Sequence, residues 1–524
     1  RVLAVGAPAP SVAMWLCRSR PRPSALRSAA PEAAETSLSN EARQLRVALL
    51  LNGTHGDHQP AAPFVAALQR AGLNVRVFAK GSFTPLFAEL GAEVVNLPGR
   101  GYEHIFADVA VRKALATGRL MSANFALDRG LRRDADEAGV LDAIVEGLRG
   151  FEPTVIVWHM SMPVEAFVAA RLCKCSAICL SFFPCVPTRE IPCFILAPRR
   201  LGRPGRITGA THRALWRYAY PVGKRRLLEH ARARYGVAVT GADVYDMFGS
   251  PERPMLCAWS PQLYAVPLDC HGGVQPPRGA FAWTSEGAEG RLPVTKELRE
   301  FVEASGRDQL AYIGWGSMAC GSGRRLAELA VGALRRAGVR GVVQGGLLDL
   351  GLESLKAHAL REYAEANVLF VQKDSGVPHG WLLPRCGACV HHGGAGTLAA
   401  CLRAGTPCVV TPVYVDQHFW AERLAHEGVG LRGPPLASAT AESVGDLLRA
   451  CLEDVRASGQ LAARAEAVGL AMRSEDGAGD AARFVLAFCR RTVAPVGEAK
   501  SSAEADSPVL LGQPPEAPPP LWEK

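Results

Sequence analysis

The stretch "VHHGGAGTLAACLRAGTPCVVTP", residues 390–412, sets two adjacent histidines before a run of small residues, an apolar helix-like segment and a second apolar run. It reads as a strand ending at the histidines, a glycine turn, a helix beginning near Thr397 and a further strand. Glycine lets backbone amides approach a ligand closely, and a helix start presents unpaired N–H groups with the positive end of its dipole. Together these make an anion site, best matched by a diphosphate. Thr397 adds a hydroxyl and one histidine an imidazole N–H. A metal fits less well, because neighbouring histidines on a strand point to opposite faces and no third ligand is evident. The next unit, "TPCVVTPVYVDQHFW", puts Asp416 and Gln417 at the carboxyl end of a strand, where open α/β sheets bind ligands. A carboxylate beside an amide suits sugar hydroxyls; a helix N-cap followed by solvated polar groups is the plainer reading of the same pair.

The same alternation extends outward. "LRVALLLNGT" is a short apolar run closing on glycine, "PAAPFVAALQRAG" a helix, and "NVRVFAK", "EPTVIVWHM" and "SAICLSFFP" further strands. A second series runs through "QLAYIGWGSM", "VRGVVQGG", "NVLFVQK", "GACVHHGG" and "TPCVVTPVY". Two such series predict an α/β protein of two doubly wound, Rossmann-like domains facing a cleft that holds the ligand. The divisions are a leader over residues 1–44, a first domain over 45–266, a linker rich in proline and glycine over 267–291, a second domain over 292–490, and a disordered proline-rich tail over 491–524.

Composition narrows the class. The chain has 524 residues, 48% of them hydrophobic and 21% charged, enough for more than one core. The formal charge of +9 is modest, and the basic residues read as spread along the chain without interleaved aromatics, so no nucleic acid is expected as a partner. Weak attraction to an anionic membrane is compatible with that charge. The fifteen cysteines have irregular spacings, many inside apolar runs, and read as buried reduced thiols. No run approaches the roughly twenty apolar residues of a membrane span. Residues 1–31 up to Pro31 lack an acid and are rich in arginine, serine and alanine, like a transit peptide. The expected location is cytoplasmic or peripheral to a membrane, with a plastid as the alternative that this leader raises.

The run "VPHGWLLPRCGACVHHGGAGTLAACLRAGTPCVVTPVYVDQHFWAERLAHEGVG" resembles the donor-binding half of GT-B glycosyltransferases related to the sterol 3-β-glucosyltransferases, a family that includes bacterial glycopeptide and macrolide transferases. "GWGSM" at residues 314–318, "CAWSPQLYAVP" and "PTREIP" have counterparts there, with Trp315 where phenylalanine is usual. The resemblance implies that His392 contacts the donor diphosphate, with Ala395, Gly396 and Thr397 as donors and Ser317 facing the same phosphates. It further implies that Val377 and His379 lie along the nucleoside, that Asp416 and Gln417 hold the sugar, and that Thr54 belongs to the donor set.

"NGTHGDHQP" resembles the family's "GSRGDVQP" and places Asp57 as the base that activates the acceptor hydroxyl. His55 stands where the family has arginine and His58 where it has valine. Either is a candidate base or relay beside Asp57, and a loop histidine otherwise. Cys185, Cys193 and Gly380 also depart from the pattern, the two cysteines on the acceptor side. The implied reaction is inverting transfer of a hexose, glucose from UDP-glucose, to a sterol or other lipophilic alcohol. No cofactor or protein-bound metal is expected, and Asp134 and Asp136 read as a solvated face. The alternatives are a polyphenol, macrolide or other lipid acceptor, and an inactive nucleotide-sugar-binding protein. A dinucleotide oxidoreductase fits poorly, because "GTHGDHQP" is not G-x-G-x-x-G.

Overall fold

The structure, a computed structural model, describes residues 45–134, 136–196, 205–282, 293–318, 320–372 and 376–493. The predicted leader, nearly all of the tail and part of the predicted linker lie outside them. Two six-stranded sheets carry the chain. The first holds β1 (Arg46–Leu50), β2 (Asn74–Lys80), β3 (Glu93–Leu97), β4 (Val155–His159), β5 (Ser176–Ser181) and β6 (Met255–Cys257), in the order β3-β2-β1-β4-β5-β6. The second holds β7 (Leu310–Gly314), β8 (Arg340–Gln344), β9 (Val368–Val371), β10 (Ala388–His391), β11 (Cys408–Val410) and β12 (Gly430–Arg432), in the order β12-β11-β10-β7-β8-β9. All pairings between these strands are parallel.

The two orders are the same, so each sheet reverses its winding once: between β1 and β4, and between β7 and β10. Val47 to Leu50 are wholly buried, as a parallel strand covered on both faces requires. Each such Val or Leu contributes about 1.5–3 kcal/mol relative to exposure. The short strands β3, β6 and β12 were not foreseen; two are three residues long and the third, EVVNL, carries a charge and an amide.

The helices on these sheets include α1 (His55–His58), α2 (Ala61–Arg70), α3 (Leu120–Asp134), α4 (Pro163–Cys173), α5 (Ala395–Arg403), α6 (Gln417–His426) and α7 (Gly477–Val493). The excursion between β3 and β4 leans on the other half of the molecule. Ile105, Phe106, Val111, Leu115, Ala123 and Leu127 share a core cluster with Ile313, Trp315 and Val390. Asn124 of α3 bonds the Tyr414 hydroxyl, and Arg112 donates to the Gly321 carbonyl at 3.0 Å.

The chain also crosses back. Chain order assigned residues up to 490 to the second domain, yet α7 packs on α2 against the first sheet. Ala478, Ala481, Ala482, Val485 and Cys489 form its buried stripe at helical spacing and join the cluster of Val47, Leu49 and Phe64. The outgoing and returning segments touch where Gly279 meets Gly477. A Cβ on Gly279, whose φ is +145°, would lie 3.0 Å from the Gly477 nitrogen and 2.9 Å from the Glu475 Cβ. Gly279→Ala should therefore destabilise the protein by about 1–3 kcal/mol, seen as a lower denaturant midpoint with an unchanged slope.

Candidate active site

The loops at the carboxyl ends of β1, β4, β7 and β10 line one cleft of about 2100 Å³ between the two sheets. These four strands flank the two points at which the winding reverses, where open α/β sheets leave a crevice.

On the first sheet, the turn after β1 leads into α1, with Asp57 in its first turn. One carboxylate oxygen of Asp57, Oδ2, accepts the Thr54 amide at 2.7 Å and the Thr54 hydroxyl at 3.3 Å. Gly53 is required here: its φ is +142°, and a Cβ would lie 2.2 Å from Oδ2. The other oxygen, Oδ1, faces His159 Nε2 at 3.4 Å. His159 closes β4, is 4% exposed, and its Nδ1 lies 2.8 Å from the Ser161 hydroxyl. That hydroxyl lies closer to Nδ1 than to the Asn52 carbonyl, at 3.3 Å; donating its proton to Nδ1 places the ring proton on Nε2, facing Asp57. Burial alone would raise the Asp57 carboxyl; the His159 ring, the Thr54 amide and His58 more than offset it, and hold it below the usual carboxylate value.

His159 was not foreseen, since "VIVWHM" reads only as a buried strand. The two histidines that were foreseen fare differently. His58 is buried, bonded through Nδ1 to the Thr54 carbonyl at 2.9 Å and stacked on Phe83 at 3.8 Å, so it holds the turn and does not reach the cleft. His55 is exposed at the cleft rim, its backbone amide on Glu103. Thr54 lines the cleft, but its hydroxyl and amide are directed at Asp57.

On the second sheet, α5 begins at Ala395, two residues before the expected start, with Gly394 as an N-cap that offers no side chain. Ala395, Gly396 and Thr397, its first turn, line the cleft with His392 and Ser317. The His392 ring fits between two glycines: a Cβ on Gly394 would lie 2.5 Å from its Nε2, and one on Gly316 2.9 Å from its Cε1. Burial, with His391 adding to it, pushes the His392 imidazole down to about 3, so the ring is neutral near pH 7. Its Nδ1 is buried without a partner among the described residues. Trp315 anchors the loop below, donating from its indole to Thr411 at 3.0 Å, a bond phenylalanine could not make.

Val377 and His379 also line the cleft, and His379 Nε2 sits 3.2 Å from the Tyr312 hydroxyl. Asp416 occupies the N-cap position of α6 but makes no capping bond; its carboxylate accepts the Trp420 indole at 2.8 Å. Burial pushes it up to about 7, with Asp57 adding to the rise. Gln417 spends its carbonyl on the amides of Val413 and Tyr414, at 2.8 and 3.1 Å, which leaves its NH₂ for a ligand. The residue before them, Val415, has a φ of +53°, strain of the kind active-site loops hold.

The absent third ligand of the sequence reading is present in space. His391, Cys401 and Cys408 bring potential ligand atoms within 4.8 Å of one another. The Gly393 amide donates to His391 Nδ1 at 3.0 Å, however, which leaves the proton of a neutral ring on Nε2, the atom a metal would need. The group thus reads as a hydrogen-bonded core. Asp136 of the predicted solvated face caps a helix by accepting the Gly139 amide; the Asp134 side chain lies outside the described set.

The family described as "Erythromycin biosynthesis protein CIII-like, C-terminal domain" matches residues 365–475. A sterol 3-beta-glucosyltransferase of Arabidopsis thaliana is 26% identical over 84% of this chain and 65% of its own length. One of Komagataella phaffii is 25% identical over 86% of this chain and 35% of its own, so the chain spans less than two thirds of either. The O-mycaminosyltylonolide 6-deoxyallosyltransferase of Streptomyces fradiae is 28% identical over 83% of this chain and 95% of its own. Among solved structures, the glycosyltransferase VinC in complex with DTDP superposes with a TM-score of 0.55 at 19% identity, covering 85% of this chain and all of that one. The glycotransferase of kitacinnamycin gives 0.57 at 19% identity, covering 86% and 99%. The chain has the GT-B fold and resembles the sterol 3-β-glucosyltransferases.

Proposed function

We propose that the protein is an inverting hexosyltransferase that moves glucose from UDP-glucose to the hydroxyl of a lipophilic acceptor, a sterol in the first instance. The observation that carries this reading is the pairing, across one cleft, of an uncapped helix start beside a neutral buried histidine with a carboxylate facing a second histidine. The first suits a diphosphate leaving group, the second an acceptor hydroxyl. The names of the sterol 3-beta-glucosyltransferases among its relatives support the sugar and the acceptor class. A macrolide-like acceptor is the second reading, favoured by the Streptomyces fradiae relative, whose whole length the chain nearly spans.

In the proposed reaction Asp57 takes the acceptor proton as the oxygen attacks the anomeric carbon, and the bond to the diphosphate breaks on the opposite face. A positioned base contributes about 10²–10⁴-fold. The amides of Ala395 to Thr397, the Thr397 and Ser317 hydroxyls and the His392 N–H meet the charge that develops on the diphosphate. Asp416 and the Gln417 NH₂ hold the sugar hydroxyls, and Val377 and His379 flank the nucleoside. His159 orients Asp57 and keeps it ionised.

Asp57→Asn should abolish transfer of labelled glucose, with a loss of about 10²-fold or more, while UDP affinity by calorimetry stays within about twofold. His159→Ala should lower kcat and move the acid limb of kcat/KM to higher pH, because the ring no longer holds the Asp57 carboxyl down. An unmoved limb would remove His159 from the role. His392→Ala should weaken UDP binding about tenfold or more. Asp416→Asn should cost transfer yet stabilise the unliganded protein. The folded state holds the Asp416 proton up to about pH 7, so stability falls as pH rises from about 4 to 7, and the amide removes that loss. Its thermal midpoint should exceed the wild type's by several degrees at pH 8 and match it near pH 4.

A further inference from the structure

An amphipathic surface lies on the helical segment that starts at Arg206. The segment runs as a helix (Arg206–Arg213), widens into a π-type stretch (Ala214–Ala219) and closes as Tyr220–Gly223. Its inner face buries His212, Leu215 and Trp216. Its outer face exposes Ile207, Tyr218 and Val222 at 75%, 64% and 73%. With Ala210 and Ala214, also exposed, they follow one another at steps of three and four residues and form a single apolar stripe.

The charge beside the stripe has one sign. Residues 205–228 contain six lysines and arginines and no acid, with Trp216, Tyr218 and Tyr220 among them, a local cluster where the sequence reads as basic residues spread along the chain without interleaved aromatics. Lys224 is taken up by Glu137 and Arg225 by Glu229. Arg206, Arg213, Arg217 and Arg226 are exposed along the flanks. Arg213 also meets the Tyr245 hydroxyl on the neighbouring helix Gly241–Asp246, where Asp246 opposes it and offsets part of that charge.

The face is continuous with the wall of the cleft. Val222 and Arg226 belong to both, and α3 lines the same cleft through Asn124 and Leu127 while its Met121 and Phe125 are 80% and 64% exposed. Scattered surface apolar residues are ordinary; a stripe of three large ones linked by alanines and flanked by arginine is an interaction surface. Its chemistry is that of a helix lying in a lipid interface, apolar side chains among the acyl boundary and guanidinium groups on anionic headgroups. No helix among the described residues is long and apolar enough to cross a membrane, so such a contact lies along the surface.

We propose that this face docks on an anionic lipid bilayer and sets this wall of the cleft against it. That a lipophilic acceptor enters the cleft from the bilayer rests on the function proposed above; the docking itself does not.

The test is co-sedimentation of the full chain with vesicles of phosphatidylcholine alone or with about one third phosphatidylserine. The expected result is binding to the second and little to the first, weakened by salt. Ile207→Ser with Tyr218→Ser should lower that binding at least tenfold, with the thermal midpoint unchanged as the sign of an intact fold. Equal sedimentation with both vesicles, none with either, or a double variant that binds like the wild type would each overturn the proposal. Because the readout is lipid binding, a failure of sugar transfer leaves it untouched. Conversely, transfer to a water-soluble alcohol without vesicles would survive the loss of docking.

Discussion

Everything in the cleft depends on strands that run parallel. In each sheet a central strand pairs in parallel with neighbours on both sides, β1 with β2 and β4, and β7 with β8 and β10. Parallel pairing sends every connection across a face of the sheet and delivers every carboxyl end to one edge. The chain winds outward in one direction and then in the other, so the loops after the two central strands diverge and leave a crevice. Asp57 and His159 come from sequence positions 102 residues apart and meet only because β1 and β4 are neighbours. Ser317 and His392 are brought to the same edge by β7 and β10. Antiparallel pairing of either strand would carry its loop to the far side.

What the sequence could disclose follows from this. Residues 392–397 lie within one strand–turn–helix unit, so their spacing alone describes the corner. Asp57 sits in a similar local turn. His159 ends an unbroken buried strand, and nothing near it in sequence distinguishes it from a core residue; only strand order does. His58 was a candidate because it adjoins Asp57, but a residue next to the first turn of a short helix points away from what its neighbour faces, and its ring went under Phe83. The buried stripe of α7 is legible as helix, whereas the sheet it covers is not: the pattern states that a face is apolar and is silent on its partner. The docking stripe escaped for a related reason. Its apolar members are diluted by arginines at helical spacing, so the stretch reads as basic and unremarkable until exposure separates its two faces.

The site is also where the fold departs from its own preferences. The His392 imidazole and the Asp416 carboxyl are both held away from their ordinary titration by burial, in opposite directions. Val415 adopts a backbone conformation that a branched residue disfavours. All three residues line the cleft, on the side where the proposed donor would bind. The wholly buried strands on either side offset the cost of these departures.

The meeting of Gly279 with Gly477 has a mechanical consequence. Two bodies joined by separate crossings generally resist rotation, because any turn lengthens one crossing or slackens the other. Here the crossings coincide at a point where neither residue carries a side chain, so a turn about that point leaves both lengths unchanged. The returning helix therefore fastens to the first sheet without adding a second constraint at the crossing, and the core that Ile105 and Phe106 share with Trp315 is what joins the halves. Displacement grows with distance from the axis, so the same small angle moves remote walls of the cleft the most.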